Sequence, residues 1–391
     1  MPGVDCWLIA MQYDVAVAGL GGIGSAILAH CAARGASTIG FEQFTRGHAF
    51  GASSGRSRLI RKAYFEDPAY VPLLLRAYDL WRDLETQAGE ELLHISGLLS
   101  VGAEDSTIIA GSRNAAGAFD LPIEVLSRRQ IKTRFPTLAL LDHEMGIFEP
   151  DGGVLRPERA VLAQLRVAET HGAKVHFETE CRSWEQNGNG VELLLGDGTR
   201  QTARILILAL GPWFAETLAS VGVPLRIQRN VQAWFEPKID AYHSARFPAF
   251  LLDRSGLPAP LYGVPDFGDG IKAAFHGLGA ETNPDQLERE VDLERDIEPI
   301  VRGLRDWMPG AVGILKEAKA CMYALTPDQH FILDRHPEHQ NIILCGGFSG
   351  HGFKFAPVIG EIGAELALDG GSCYPIEFLG LKRFVTKRTA C

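Results

Sequence analysis

Gly19, Gly21 and Gly24 spell GxGxxG, and Glu42 stands eighteen residues beyond the last of them. Glycines at this spacing permit a tight turn and let the N–H groups of a helix N-terminus meet a pyrophosphate. An acidic residue about twenty positions on accepts hydrogen bonds from a ribose diol. Glu42 would repel a 2′-phosphate, which disfavours NADP. Arg56, Arg58, Arg61 and Lys62 form a basic run in an otherwise acidic chain. A planar guanidinium is a natural clamp for a carboxylate, and Arg58 and Arg61 share a face if the run is helical. A solvated face or contacts to a cofactor phosphate would explain the same run.

Three further places have chemical potential. Gly346-Gly347-Phe348-Ser349-Gly350-His351-Gly352-Phe353-Lys354 joins a strand to a helix, so free N–H donors and the charge of Lys354 meet at one spot. Asp269 to His276 alternates like a strand, with Lys272, Ala274 and His276 on one face; such a face lines a cavity or meets solvent. Cys321 and Tyr323 share a face in the same way, and a buried cysteine is commonly inert packing. His336-Pro337-Glu338-His339 reads as a turn, and no metal site is expected.

The elements that must position these residues follow from apolar pattern and turn chemistry. Tyr13–Ala18 reads as a buried strand, Ser25–Arg34 as a helix closed by Gly35, and Ser37–Phe41 as the next strand, which together start a βαβ unit. Tyr70–Gln87 and Glu158–His171 read as helices, and so does 294–307. Val191–Leu195, the turn Gly196-Asp197-Gly198 and Thr202–Ala209 read as a hairpin running into a buried strand that ends near Gly211. Asn341–Cys345 feeds the late glycine loop and a helix to about Leu368. Glycine motifs at Gly19, Gly211 and Gly347 suit an elongated cofactor better than a compact nicotinamide-binding unit, so FAD leads over NAD.

The 391 residues exceed one ordinary hydrophobic core, and 43 glycines with no low-complexity tract place many of them at special backbone positions. A net charge of −10 disfavours a nucleic-acid binder, and the short basic tail Arg383–Arg388 is too small to reverse that. No apolar run approaches a membrane span of about 18 residues. Residues 1–10 lack a basic signal-like start and read as an extension upstream of Met11. The seven cysteines (6, 31, 181, 321, 345, 373, 391) show no CxxC, so reduced thiols in a cytoplasmic protein are expected.

Taken together, these motifs resemble the monomeric sarcosine oxidase and N-methyltryptophan oxidase family of flavoprotein amine oxidases, from Met11 to about Leu379. The specific pieces are Arg58-Leu59-Ile60-Arg61-Lys62-Ala63-Tyr64, Tyr70-Val71-Pro72-Leu73, Cys321-Met322-Tyr323 and Phe348–Phe355. The resemblance implies a mixed α/β fold, a Rossmann-like FAD-binding domain of p-hydroxybenzoate-hydroxylase type interleaved with a β-sheet-rich substrate domain. The expected division is 11–90, 150–222 and 321–391 for FAD, and 91–149 and 223–320 for substrate. It further implies FAD attached through its 8α carbon to Cys321 and a substrate carboxylate held by Arg61 and Lys354. Lys272 would promote reaction of the reduced flavin with O₂, Arg58 would lie over the flavin, and Tyr262, His276 and Tyr323 would line the substrate cavity. Gly19, Gly21, Gly24, Glu42, Ser57, Gly211, Gly347, Gly350 and Gly352 complete the expected cofactor contacts. Ser53-Ser54, Arg56 and Ser57 depart from the family's usual residues, and the loop Asp253–Leu261 is longer than in the sarcosine enzyme.

The expected reaction is oxidation of a secondary (N-methyl or cyclic) amino acid to an imine by a monomer, with O₂ reduced to H₂O₂. Two rivals are a dehydrogenase passing electrons to a quinone or carrier, and a non-catalytic dinucleotide-binding protein.

Overall fold

A computed structural model describes residues 12–385. The expected extension 1–10, Cys6, Cys391 and the end of the basic tail lie outside the described residues.

Two large sheets organise the chain. In the first, Tyr13–Ala18 lies parallel between Thr38–Phe41 and Arg200–Leu208, and Lys174–His176 extends the edge beyond Thr38–Phe41. Val15, Ala16 and Val17 have no exposed surface, as expected of a parallel strand covered on both faces. Arg200–Leu208 forks. Its first half pairs with Gly190–Leu195 in the expected hairpin, and its second half runs parallel to Ile342–Gly346. Helices Gly22–Ala33, Pro157–Thr170 and Ala356–Leu368 supply apolar residues to one core beneath this sheet.

The second sheet has the order Leu315–Leu325, Arg226–Phe235, Ile271–Phe275, Leu261–Val264, Ala249–Asp253, Leu98–Ala103, Glu144–Glu149 and Glu124–Leu126. Its neighbours are antiparallel except for Ala249–Asp253 against Leu98–Ala103. Alternation splits its side chains cleanly. Phe235, Phe250, Leu261, Ile271, Ala273 and Phe275 bury one face against Ile300, Leu304 and Trp307 of the helix Glu298–Trp307. Residues one position away, among them Gln232, Tyr262, Lys272, Ala274 and Cys321, take the other face. A small sheet of Arg58–Ile60, Gly153–Leu155 and Leu93–Ile95 lies apart from both.

Several local expectations shift. The basic run is not helical: Arg58–Ile60 is a strand, so helical spacing does not relate Arg58 to Arg61. The first helix begins at Gly22, three residues before Ser25, because the glycine turn leads straight into it. Cys321 and Tyr323 sit inside Leu315–Leu325, a single strand of the second sheet that crosses the expected division at 320/321. Helix Thr107–Phe119 has no strong sequence signal, since Ser112, Ala115 and Ala116 make up much of its buried stripe.

Candidate active site

After Tyr13–Ala18 the chain turns at Gly19, φ +87°, into the helix Gly22–Ala33. A Cβ on Gly24 would stand 1.8 Å from Gly19 O, and one on Gly19 2.5 Å from Ala209 O, so the turn admits no side chain at either place. Gly24 packs under the turn, whereas Gly19 and Gly21 face a cleft. Glu42 is buried, and its carboxylate accepts from Leu20 N at 2.9 Å and from Phe44 N at 3.1 Å. It therefore braces the glycine turn as well as facing the cleft. Gly211 and Gly347, each at the end of a strand of the same sheet, line the cleft with positive φ of 57° and 62°.

The cleft is continuous, with a volume of about 510 Å³, inside the range of small-molecule sites. It runs from Gly19 and Glu42 past Gly211 to Arg58, Arg61, Tyr262, His276, Cys321, Tyr323 and Lys354. Gly350 and Gly352 also line it; a Cβ on Gly350 would meet the Tyr323 ring at 2.3 Å.

Its far end concentrates cations. Arg58 donates to Ser57 O and Ala52 O, each at 2.8 Å, and to Ser54 O. Arg61 is 5% exposed and donates to both Glu66 oxygens at 2.5 and 2.6 Å, while its Nε is buried without a partner. Burial works against the Glu66 charge, yet Arg61 outweighs it and holds the carboxyl down at about 2. Lys354 Nζ donates to His351 O at 2.6 Å, and Trp81 Nε1 anchors the Lys354 carbonyl at 2.9 Å. Burial, followed by the neighbouring Arg61, pulls the Lys354 ammonium down to about 7.

Around these charges stand neutral polar rings. His351 Nε2 faces Gln329 O at 3.1 Å; a carbonyl only accepts, so Nε2 carries the proton. Nδ1 then accepts from Tyr64 Oη at 2.5 Å. His276 Nδ1 lies 3.4 Å from Tyr323 Oη, and burial drops the His276 pKa to about 4. Lys272 does not line the cleft. It is 2% exposed, with Nζ donating to Gly55 O and Ser57 O at 2.8 Å each, and burial, then Arg58, lowers its pKa well below the ordinary value. Ser57 likewise stands off the cleft wall and contributes its carbonyl.

A glycine turn, an acidic strand end and two further glycine strand ends along one elongated cleft fit FAD, and residues 14–366 match the family model described as FAD dependent oxidoreductase. The chain belongs to that family. A monomeric sarcosine oxidase of Streptomyces avermitilis is 40% identical over 378 residues, 95% of this chain and 97% of the relative. An N-methyl-L-tryptophan oxidase of Yersinia pestis is 32% identical over 378 residues, 96% of this chain and all of the relative. The structure of NikD, described as an unusual amino acid oxidase essential for nikkomycin biosynthesis, superposes with a TM-score of 0.84. It is 23% identical and covers 95% of this chain and 98% of its own, which shows the shared fold.

In this FAD-dependent oxidoreductase, four residues of the site escaped the sequence reading. Glu66, five positions after Arg61, is its buried counter-ion. Glu158 accepts from Gly55 N at 2.7 Å and Arg56 N at 3.0 Å, fixing the loop whose carbonyls hold Lys272. In the sequence His351 stands out only as part of a glycine motif. Gln232 lines the cleft beside Cys321; the alternating amides Gln228, Asn230 and Gln232 were the signal that could have exposed it. Among the described residues no His, Cys, Asp or Glu group is arranged to hold a metal ion, and no helix is long and apolar enough to cross a membrane.

Proposed function

We propose that this protein oxidises a secondary amino acid, N-methyl or cyclic, to the imine, with O₂ as electron acceptor and FAD tethered through Cys321. The observation that carries the reading is the placement of buried Arg61 and Lys354 on the cleft that also holds Cys321 and the rings of Tyr262, His276 and Tyr323. Bound FAD supplies acceptance of two electrons from the substrate C–H bond and their transfer to O₂.

Arg61 offers its partnerless Nε, and Lys354 its remaining ammonium protons, to one substrate carboxylate. An anion there returns Lys354 to its charged state, because an opposite charge favours the protonated amine. Two fixed cations position the α-carbon and leave the amine against Tyr262, Tyr323 and neutral His276, where desolvation favours the unprotonated amine that oxidation requires. Lys272 keeps a third N–H beyond its two carbonyl contacts. Burial and Arg58 work against its charge, but the negative charge that develops as O₂ accepts electrons favours the protonated amine and is stabilised by it. That role favours an oxidase over a dehydrogenase that hands electrons to a quinone, and a binding protein would leave Arg61, Lys272 and Lys354 without work. A monomeric, cytoplasmic enzyme is the accompanying expectation.

An oxygen electrode with sarcosine, other N-methyl amino acids, proline and pipecolate tests the reading. O₂ uptake with equimolar H₂O₂ on at least one of them is expected. Substrate-dependent bleaching of the flavin without O₂ uptake would assign the chain to the dehydrogenases.

A further inference from the structure

Strand Arg226–Phe235 carries Gln228, Asn230 and Gln232 at alternate positions, all three buried. They share a sheet face with Cys321 and Tyr323, because Asn230 pairs with Cys321 and Gln228 with Tyr323 across the ladder. Each amide retains a buried oxygen without a partner, an arrangement that folding alone disfavours. Gln228 and Asn230 spend their NH₂ groups on backbone carbonyls. Gln232 does not. Its Nε2 donates to Cys321 Sγ at 3.3 Å, and both residues line the cleft.

The seat of Gln232 is built with care. Its Oε1 lies 2.2 Å from where a Cβ on Gly55 would stand, so that any side chain at 55 would displace the amide. Gly55 O is also one of the two carbonyls that hold Lys272 Nζ. A thiol sulfur is a weak acceptor, whereas a thiolate is an anion that shortens and strengthens an N–H contact. The amide is therefore arranged for the charged form of Cys321.

We propose that Gln232 is a positioning residue for attachment of the flavin: its amide N–H stabilises the thiolate of Cys321 as it forms and aims the sulfur into the cleft. The proposal rests on the covalent role given to Cys321 above. In the step it serves, the S–H bond of Cys321 and one C–H bond of the flavin 8-methyl group break and a C–S bond forms. The two electrons and two protons released leave with dioxygen as H₂O₂. Burial pushes the Cys321 thiol up, with Arg58, Lys272, the Gln232 hydrogen bond and Arg229 opposing it; Tyr262 and Tyr323 are the other titratable groups beside it.

The test uses the full-length chain produced in flavin-depleted cells and mixed with FAD. Covalent flavin is read as fluorescence retained by the denatured polypeptide and as a mass increase on the Cys321 peptide. Gln232→Leu is expected to attach flavin about tenfold more slowly at neutral pH, with the midpoint of its rate–pH profile about one unit higher. At alkaline pH, where the thiol ionises without help, its rate should rejoin that of the unaltered chain. An unchanged rate and midpoint, or a lowered plateau with an unshifted midpoint, overturns the proposal. Gln232→Met, similar in size and uncharged but without an N–H, gives a second reading if the leucine variant fails to fold: an upward midpoint supports the role and an unshifted one overturns it. Complete release of flavin from the unaltered denatured chain would remove the covalent role of Cys321 and this proposal with it. Retention there, with both variants unaffected, removes only the role of Gln232.

Discussion

The two ends of the cleft are built by opposite means. At the dinucleotide end, Gly19 and Gly24 act through the absence of side chains and Glu42 ties the turn together, all within thirty residues of chain. At the substrate end, Arg61 and Lys354 hold charge in a dry interior, with half-buried Arg58 on the cleft wall and buried Lys272 behind it, and the four come from three well-separated segments. The first end is a matter of shape and tolerates no added atom. The second depends on burial opposing the charges of Arg61, Lys272 and Lys354 and on Glu66 restoring that of Arg61, so it responds to protons and ligands. Substitutions should thus act as steps at one end and as graded changes at the other.

The largest effect is expected from Gly24→Ala. Its new Cβ falls on Gly19 O, and cofactor content should drop below about a tenth of the unaltered protein's, read from the flavin absorbance of purified chains. Gly35→Ala is the control. Gly35 also has positive φ, +82°, but open space around it; it should cost only about 1–2 kcal/mol of stability in a denaturant titration and leave flavin content intact. If the two behave alike, shape is not what the glycine turn provides.

At the charged end, Lys272→Met should slow reoxidation by O₂ about 10²–10³-fold in stopped flow, with flavin reduction changed only a few-fold. Equal slowing of both half-reactions would take the O₂ role from Lys272. Arg61→Ala is expected to raise KM for amino-acid substrates by about one to two orders of magnitude in steady-state assays, since it removes charged hydrogen bonds from a buried site. An unchanged KM would place the carboxylate elsewhere.

The smallest effect is a pH dependence. Free Lys354 titrates near 7, and a bound carboxylate raises that value, so binding takes up a proton above pH 7. The Kd of a simple carboxylate without an amine should be flat below pH 7 and rise by up to about tenfold per unit above it. In Lys354→Met the rise should vanish. A slope that survives the substitution would assign the proton to another group.

The same contrast explains what could be read from the chain. The glycine turn, its strand and helix, and Glu42 are local, and their spacing encodes their geometry. Lys272, Ala274 and His276 were placed on one face by alternation, but whether that face met solvent or a cavity depended on what Arg226–Phe235 and Leu315–Leu325 bring alongside. Charge and motif mark Arg61 and Lys354 in the sequence, and only the resemblance pairs them on one carboxylate. Glu66, Glu158 and Gln232 carry no motif: a glutamate near an arginine, one in a helix's first turn and a mid-strand glutamine acquire meaning only from partners 5, 103 and 89 residues away. The condition attached to the run at Arg58, that it be helical, is not met, because Arg58–Ile60 is a short strand.

The forked strand Arg200–Leu208 has a bearing on how the molecule is made. Its second half finds its parallel neighbour only in Ile342–Gly346, and the helix Ala356–Leu368 that covers the sheet follows still later. A ribosome has therefore emitted the chain as far as Gly346 before the nucleotide sheet can close. Between the synthesis of Arg200–Leu208 and that of Ile342–Gly346 the nascent chain carries an open parallel edge and an unfinished cleft, a state that invites chaperone engagement. Completion of the sheet, the cleft and the cavity for the reacting amine is in this way a single late event.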